Sequence, residues 1–268
     1  MKKWIKIGFW ASFALGIVLL MVTISTIQSQ RILDEPEIIV IESGENPFLN
    51  DHELLAMLKQ EGLYSDGMKR EELNLDAIEI FISGISQVKS AKVFTEIGTS
   101  WKVQVELRNP IARIFNSVGE TFYLDDEGEI VETTPSHTAQ VLVVTGAIDD
   151  RKNGLSVSGI INNDSLKSIL KLDDIYRISN YVCYDPFFRS MIGQLHLEKN
   201  GDFVMIPLVG DQKIVFGTAR TDEEVEEKFS KLKIFYDEAM PYVGWNTYSE
   251  INLKYDDQIV SKKKPVAE

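Results

Sequence analysis

An unbroken run of 21 uncharged residues, Ile7 to Ile27 (IGFWASFALGIVLLMVTISTI), constrains this chain more than any other stretch. As a helix rising 1.5 Å per residue it reaches about 31 Å, close to the roughly 30 Å hydrocarbon core of a bilayer. Residues 7–27 therefore read as a membrane-spanning helix. Lys2, Lys3 and Lys6 precede it, and Arg31 is the single base before Asp34 and Glu35 on the far side. The positive-inside bias makes residues 1–6 a cytoplasmic tail and places everything after Ile27 across the membrane. The rival reading is a cleaved signal peptide, whose shorter apolar region ends in small residues at a cleavage site. Gln28-Ser29-Gln30-Arg31 has no such pattern, and the only cysteine, Cys183, is too distant for a lipid anchor.

What lies beyond the helix, about 240 residues, is enough for two ordinary domains. Hydrophobic residues make up 44% of the chain, which rules out a mainly disordered protein. The net charge is −13, and the basic residues near the N-terminus leave the rest more acidic still. Such a surface repels nucleic acid and anionic headgroups. Outside the cytoplasm a single cysteine closes no internal disulfide, so packed cores must supply the stability.

After a linker over 28–36, Glu37 to Glu42 reads as a strand ended by Gly44-Glu45-Asn46-Pro47. Asn50 stands three residues before Glu53, a capping pair for a short helix carrying Leu54, Leu55 and Leu58. A second helix over about 75–86 shows Ile78, Ile82 and Ile85 at helical spacing. A strand from Val88 to Ile97, a Gly98-Thr99-Ser100 turn and a second strand follow. In that second strand Trp101, Val103, Val105 and Leu107 alternate with polar residues. This order, strand, helix, helix, strand, strand, is an α+β module. Asn109-Pro110 interrupts it, because proline cannot donate to a sheet ladder, and a domain boundary is placed there.

Beyond Pro110 short strands alternate with turn residues. Asp125-Asp126-Glu127-Gly128 joins a hairpin of 121–124 with 129–132, and Gln140 to Thr145 is a buried strand. Asn163-Asp164-Ser165 caps an expected helix over 166–182. Three antiparallel strands come next, over 193–198, 203–208 and 213–216. Thr221-Asp222-Glu223-Glu224 then opens a helix ending near Pro241, with Glu224–Lys228 and Glu227–Lys231 as pairs on its wet side. A last strand is expected from about Tyr248 to Val260, and residues 262–268 as a frayed tail.

Sites of chemistry are scarce. His52, His137 and His196 show no metal-ligand spacing, and the acidic pairs at 125–126, 149–150, 173–174 and 256–257 form no calcium loop. No nucleophile elbow or phosphate loop is visible. The sequence therefore points to no enzyme, no cofactor and no metal; a carboxylate pair meeting only in three dimensions would be the enzymatic alternative, an anchored envelope hydrolase. A protein-binding role remains, and the C-terminal strand suggests it, since a final strand often lies at a sheet edge with free N–H and C=O groups.

At this point the residues resemble the FtsQ/DivIB family of bacterial cell-division proteins, in its Bacteroidota branch. Glu106-Leu107-Arg108-Asn109-Pro110-Ile111-Ala112-Arg113 is similar to the family's acidic residue and Pro-x-Ala-Arg junction. Asp125-Asp126-Glu127-Gly128 falls where the family has an Asp-x-x-Gly turn, and Ile251-Asn252-Leu253-Lys254-Tyr255 is similar to its Asp-Leu-Arg-Tyr strand, with Asn252 and Lys254 as departures. The resemblance implies a POTRA-like domain over 37–108 and a mostly antiparallel β domain with two packing helices over 109–261. It implies a non-catalytic divisome scaffold in the cytoplasmic membrane that recruits FtsB and FtsL partners by strand addition. The partner-binding residues it implies are Ile251, Asn252, Leu253, Lys254 and Tyr255, with Ile259 added from the strand pattern; Glu106, Pro110, Ala112 and Arg113 form the junction between the domains. An envelope-assembly POTRA protein is the other class, though such proteins end in a barrel of many strands that this chain lacks.

Overall fold

The computed structural model describes residues 2–41, 49–135, 137–167, 169–256 and 258–265. The predicted breaker at 44–47 lies outside them. Helix α1 (Lys2–Ser29) contains the uncharged run. Its segment Gly8–Ser29 has a mean hydropathy of 2.1 and is not buried against the protein, so it is long and apolar enough to cross a bilayer. The remainder forms two units, one reaching Leu107 and the other starting at Arg108.

The first unit holds β1 (Glu37–Ile41), α2 (Asp51–Gln60), a 3₁₀ turn (Arg70–Glu72), α3 (Leu75–Ser83), β2 (Val88–Thr95) and β3 (Trp101–Leu107). The capping pair forms as expected: Asn50 Oδ1 accepts from the Glu53 amide at 2.9 Å, and the Glu53 carboxylate accepts from the Asn50 amide at 3.2 Å. The sheet order is β1-β3-β2, with β1 parallel and β2 antiparallel to β3. Alternation along β3 buries Trp101, Val103, Val105 and Leu107, and Leu54, Leu58, Ile78 and Ile82 of the two helices pack in the same core. The stretch expected as a linker is tied into this unit. The Leu33 amide donates to the Met68 carbonyl at 2.9 Å, and the Trp101 indole N–H to the Asp34 carbonyl at 3.0 Å.

The second unit runs through β4 (Pro110–Phe115), β5 (Thr121–Asp125), β6 (Ile130–Glu132), β7 (Leu142–Gly146), α4 (Val157–Ile161), α5 (Asp164–Lys167), α6 (Leu172–Tyr184), α7 (Pro186–Met191), β8 (Ile192–Leu197), β9 (Phe203–Pro207) and β10 (Lys213–Gly217). Helix α8 (Asp222–Ile234) continues through a π-helical turn (Phe235–Ala239) into α9 (Met240–Val243), and β11 (Tyr248–Asn252) and β12 (Val260–Lys263) follow. One sheet of nine strands results, in the order β12-β11-β10-β9-β8-β7-β4-β5-β6. Its neighbours are antiparallel except for β10–β11, β7–β8 and β4–β7. The fold is α+β, as expected. The core under the sheet takes Ile175, Ile178 and Val182 from α6 and Val225, Phe229 and Leu232 from α8.

Three expectations fail here. The helix foreseen over 166–182 is broken: Ile169 is exposed and α6 starts at Leu172, where the buried Asp150 carboxylate accepts from the amides of Lys171 (3.0 Å) and Leu172 (3.3 Å). That cap comes from 21 residues away, so no local signal marks it. Asp185 closes α6 as its C-cap and also caps α7, accepting from the amides of Phe187 and Phe188 with Pro186 at the first helical position. The Glu224–Lys228 pair, at 2.5 Å, forms with Lys228 buried rather than on the wet face. The single last strand is two strands, described with the site.

Candidate protein-interaction edge

At the C-terminal end of the large sheet, the alternation Ile251, Leu253, Tyr255 suggests a strand that runs on past Asn252. It stops there. Asn252 Oδ1 accepts from the Lys254 amide at 3.0 Å, an Asx turn that draws the backbone out of the ladder. The chain then reverses, and β12 returns antiparallel to β11 with Ile251 opposite Ser261 and Asn252 opposite Val260.

This reversal corrects two expectations. Strand β11 is hemmed in by parallel β10 on one side and β12 on the other, so its backbone offers no free ladder. Ile251 and Leu253 are fully buried, and the Leu253 amide donates to Val215 at 2.9 Å. Ile259 packs partly against the same core. Lys254 Nζ pairs with Asp202 at 2.6 Å, a contact that raises the ammonium's pKa above its ordinary value. Tyr255 alone among these residues projects a large apolar surface, about half exposed, while its carbonyl accepts from Lys231 Nζ at 3.1 Å. The second correction concerns the tail: Lys262 and Lys263 lie in β12, the Lys264 amide donates to Thr247 at 3.0 Å, and Lys264 Nζ pairs with Asp211 at 2.9 Å. Sequence reasoning missed Val260 to Lys263 as an edge. The signal was the acidic pair at 256–257 in the sequence, a composition that favours turns.

Among the described residues β12 has one neighbour in the sheet, β11, which leaves the outer side of its ladder unpaired there. The opposite edge, β6, is only three residues long, and its Val131 is buried in a small cluster with Tyr123 and Ala139. Lysines at 262 and 263 are exposed on β12, as on edges guarded against self-association.

The junction residues are structural. Pro110 opens β4 opposite Asp125, and Ala112 is fully buried between Leu124 and Leu142. The Arg113 guanidinium lies over the rings of Phe115 and Tyr123 at 5.2 and 5.4 Å, and its Nε donates to Thr121 at 3.3 Å. Glu106 is on β3, accepting from Ser90 Oγ at 3.0 Å and paired with Lys89 at 3.5 Å. In the hairpin turn Asp125 is buried against Arg108 at 2.7 Å, and burial raises its carboxyl pKa despite that partner. Gly128, at φ +80°, allows the turn, where a Cβ would strike Val157.

A cleft of about 620 Å³ opens where β4, β7 and β8 begin, lined by Pro110, Leu142, Cys183, Tyr184 and Arg189 among others. The Tyr184 hydroxyl donates to Asp126 at 2.8 Å; desolvation and that carboxylate push its pKa up to about 12. Among the described residues no group of three or more histidine, cysteine or acidic side chains could hold a metal ion.

Residues 109–262, from the start of β4 to within β12, match the family described as FtsQ/DivIB, C-terminal related. That span is more than half of the chain. The protein belongs to the FtsQ/DivIB C-terminal-related family. No curated protein matches it. FtsQ/DivIB membership assigns the chain to bacterial cell division, in a family of non-catalytic scaffolds, and the match takes in the whole nine-stranded sheet apart from the last residue of β12.

Proposed function

We propose that this protein is a divisome scaffold, anchored in the cytoplasmic membrane by α1 with its N-terminus in the cytoplasm, whose β12 edge accepts a strand from a bitopic partner of the FtsB or FtsL type. The observation that carries the reading is the open outer side of β12, at the end of the sheet that the family match spans. Strand addition supplies main-chain hydrogen bonds worth about 0.5 to 1.5 kcal/mol each, so side chains beside the edge must supply selectivity. Lys262 and Lys263 suit a partner strand flanked by carboxylates, and Tyr255 offers an apolar contact near the turn. On this reading residues 37–108 form a POTRA-like domain that meets other division proteins.

Neighbouring residues of an antiparallel edge strand point their amides alternately inward and outward. Of Ser261→Pro and Lys262→Pro, one therefore removes an amide facing the partner and the other an amide facing β11. The outward one is expected to abolish capture of FtsB- and FtsL-type partners with an unchanged melting temperature. Retention of the partners by both variants would refute strand addition at β12. Depletion in the native cell is expected to give filaments without septa.

A further inference from the structure

The segment that follows α1 is fastened to the first unit by a ring of hydrogen bonds. Gln30 Nε2 donates to Glu71 at 2.7 Å, and Lys69 Nζ donates to Gln30 Oε1 at 2.8 Å. The Arg70 amide donates to the Arg31 carbonyl at 3.0 Å, while its guanidinium reaches across to the Gly98 carbonyl at 2.5 Å and Thr95 Oγ1 at 3.1 Å. Asp34 closes the ring, accepting from Thr99 Oγ1 at 2.6 Å and donating its amide to the Thr99 carbonyl at 3.2 Å. The β2–β3 turn is thus fastened to the five residues that follow α1. At the tip of that turn stands Ile97, 103% exposed, and Ile32 beside the fastening is 60% exposed.

An isoleucine with no protein contact on a turn held this firmly has no role in the unit's own core. Five residues span at most about 18 Å, and Gly8–Ser29 as a helix is about 33 Å long, so Ser29 lies at the bilayer's interfacial zone. We infer that the β2–β3 turn rests on the membrane, with Ile97 and Ile32 inserted at the boundary between headgroups and acyl chains. Arg31, exposed and two residues beyond α1, stands at phosphate depth. Of the neighbouring carboxylates, Glu96 pairs with Lys102 at 3.1 Å and Glu72 accepts from the Lys69 amide at 3.0 Å, while Glu35 is exposed. The tether removes the need for a strong surface attraction, because it holds the turn at high local concentration over the lipid. Contact at this turn fixes the tilt of the first unit and aims β1 and β3, which run parallel to each other, away from the bilayer.

The inference rests on the reading that α1 spans the membrane, and the test separates the two. In full-length protein carrying Cys183→Ser, the single-cysteine variants Leu19→Cys, Ser90→Cys and Ile97→Cys are each labelled with an environment-sensitive fluorophore. The protein is reconstituted into vesicles of phosphatidylethanolamine and phosphatidylglycerol with or without doxyl lipids. Ser90 is exposed on β2, seven residues, or about 23 Å of strand, from Ile97. The expected result is fluorescence loss at 19 and 97, deeper at 19, and none at 90. Loss at 19 with positions 97 and 90 alike would overturn the membrane-resting turn and leave the anchor standing. No loss at 19 would overturn both.

Discussion

At the scale of single residues, the most informative group is the Glu224–Lys228 pair. Its spacing matches an ordinary surface pair of α8, yet Lys228 is buried over the Phe216 ring at 5.1 Å and donates to the Thr218 carbonyl at 2.7 Å. Burial would raise the Glu224 carboxyl, but Lys228, Thr218 and the Arg220 amide together hold its pKa below the ordinary value of 4.5. Glu224→Gln leaves a buried ammonium without its charged partner, and a loss of about 1–3 kcal/mol is expected in thermal melts at neutral pH. The sign of the pH dependence follows from the lowered pKa. The stability from Glu224 is complete above pH 4.5 and fades as pH falls through the lower folded value, so the gap between wild type and variant closes in acid. A gap that held constant through that range would show that charge has no part in it.

Among the elements, α6 shows how a helix start can be set from outside its own segment. Lys171, its N-cap residue, makes no side-chain cap, and the buried Asp150 carboxylate does that work for two amides. Asp150→Ala is expected to cost about 1–2 kcal/mol in denaturant melts. Burial raises the Asp150 pKa, so the folded protein bears a desolvation cost for its charge that Asp150→Asn, still an acceptor, avoids. The asparagine variant should therefore lose less than the alanine variant, and equal losses would count against a capping role. The β11–β12 hairpin makes the same point differently, since the Asn252 Asx turn converts one apparent strand into an inner strand and an edge.

For the whole molecule, two separate cores matter most. Leu58 and Ile82 belong to one cluster, Ile178 and Phe229 to another, on either side of the boundary at Arg108. Calorimetry of the chain in detergent is expected to resolve two transitions, and Leu58→Ala to lower one by about 2–5 kcal/mol while leaving the other in place. A shift of both would mean that the units melt as one.

The span of α1, the two-faced strand β3, the Asn50 capping box and the hairpin around Gly128 were legible in the residues, because each is encoded by composition or periodicity over a few turns of local chain. Family membership was legible too, from the order of short motifs around Pro110, Asp125 and Ile251. Tertiary structure alone decided that β12 rather than β11 is the open edge, that Asp150 starts α6, and that Lys228 is inside. Periodicity records which face of a segment is buried, whereas ladder order depends on backbone groups common to nearly every residue. A polar side chain's partner depends on segments brought near only by folding.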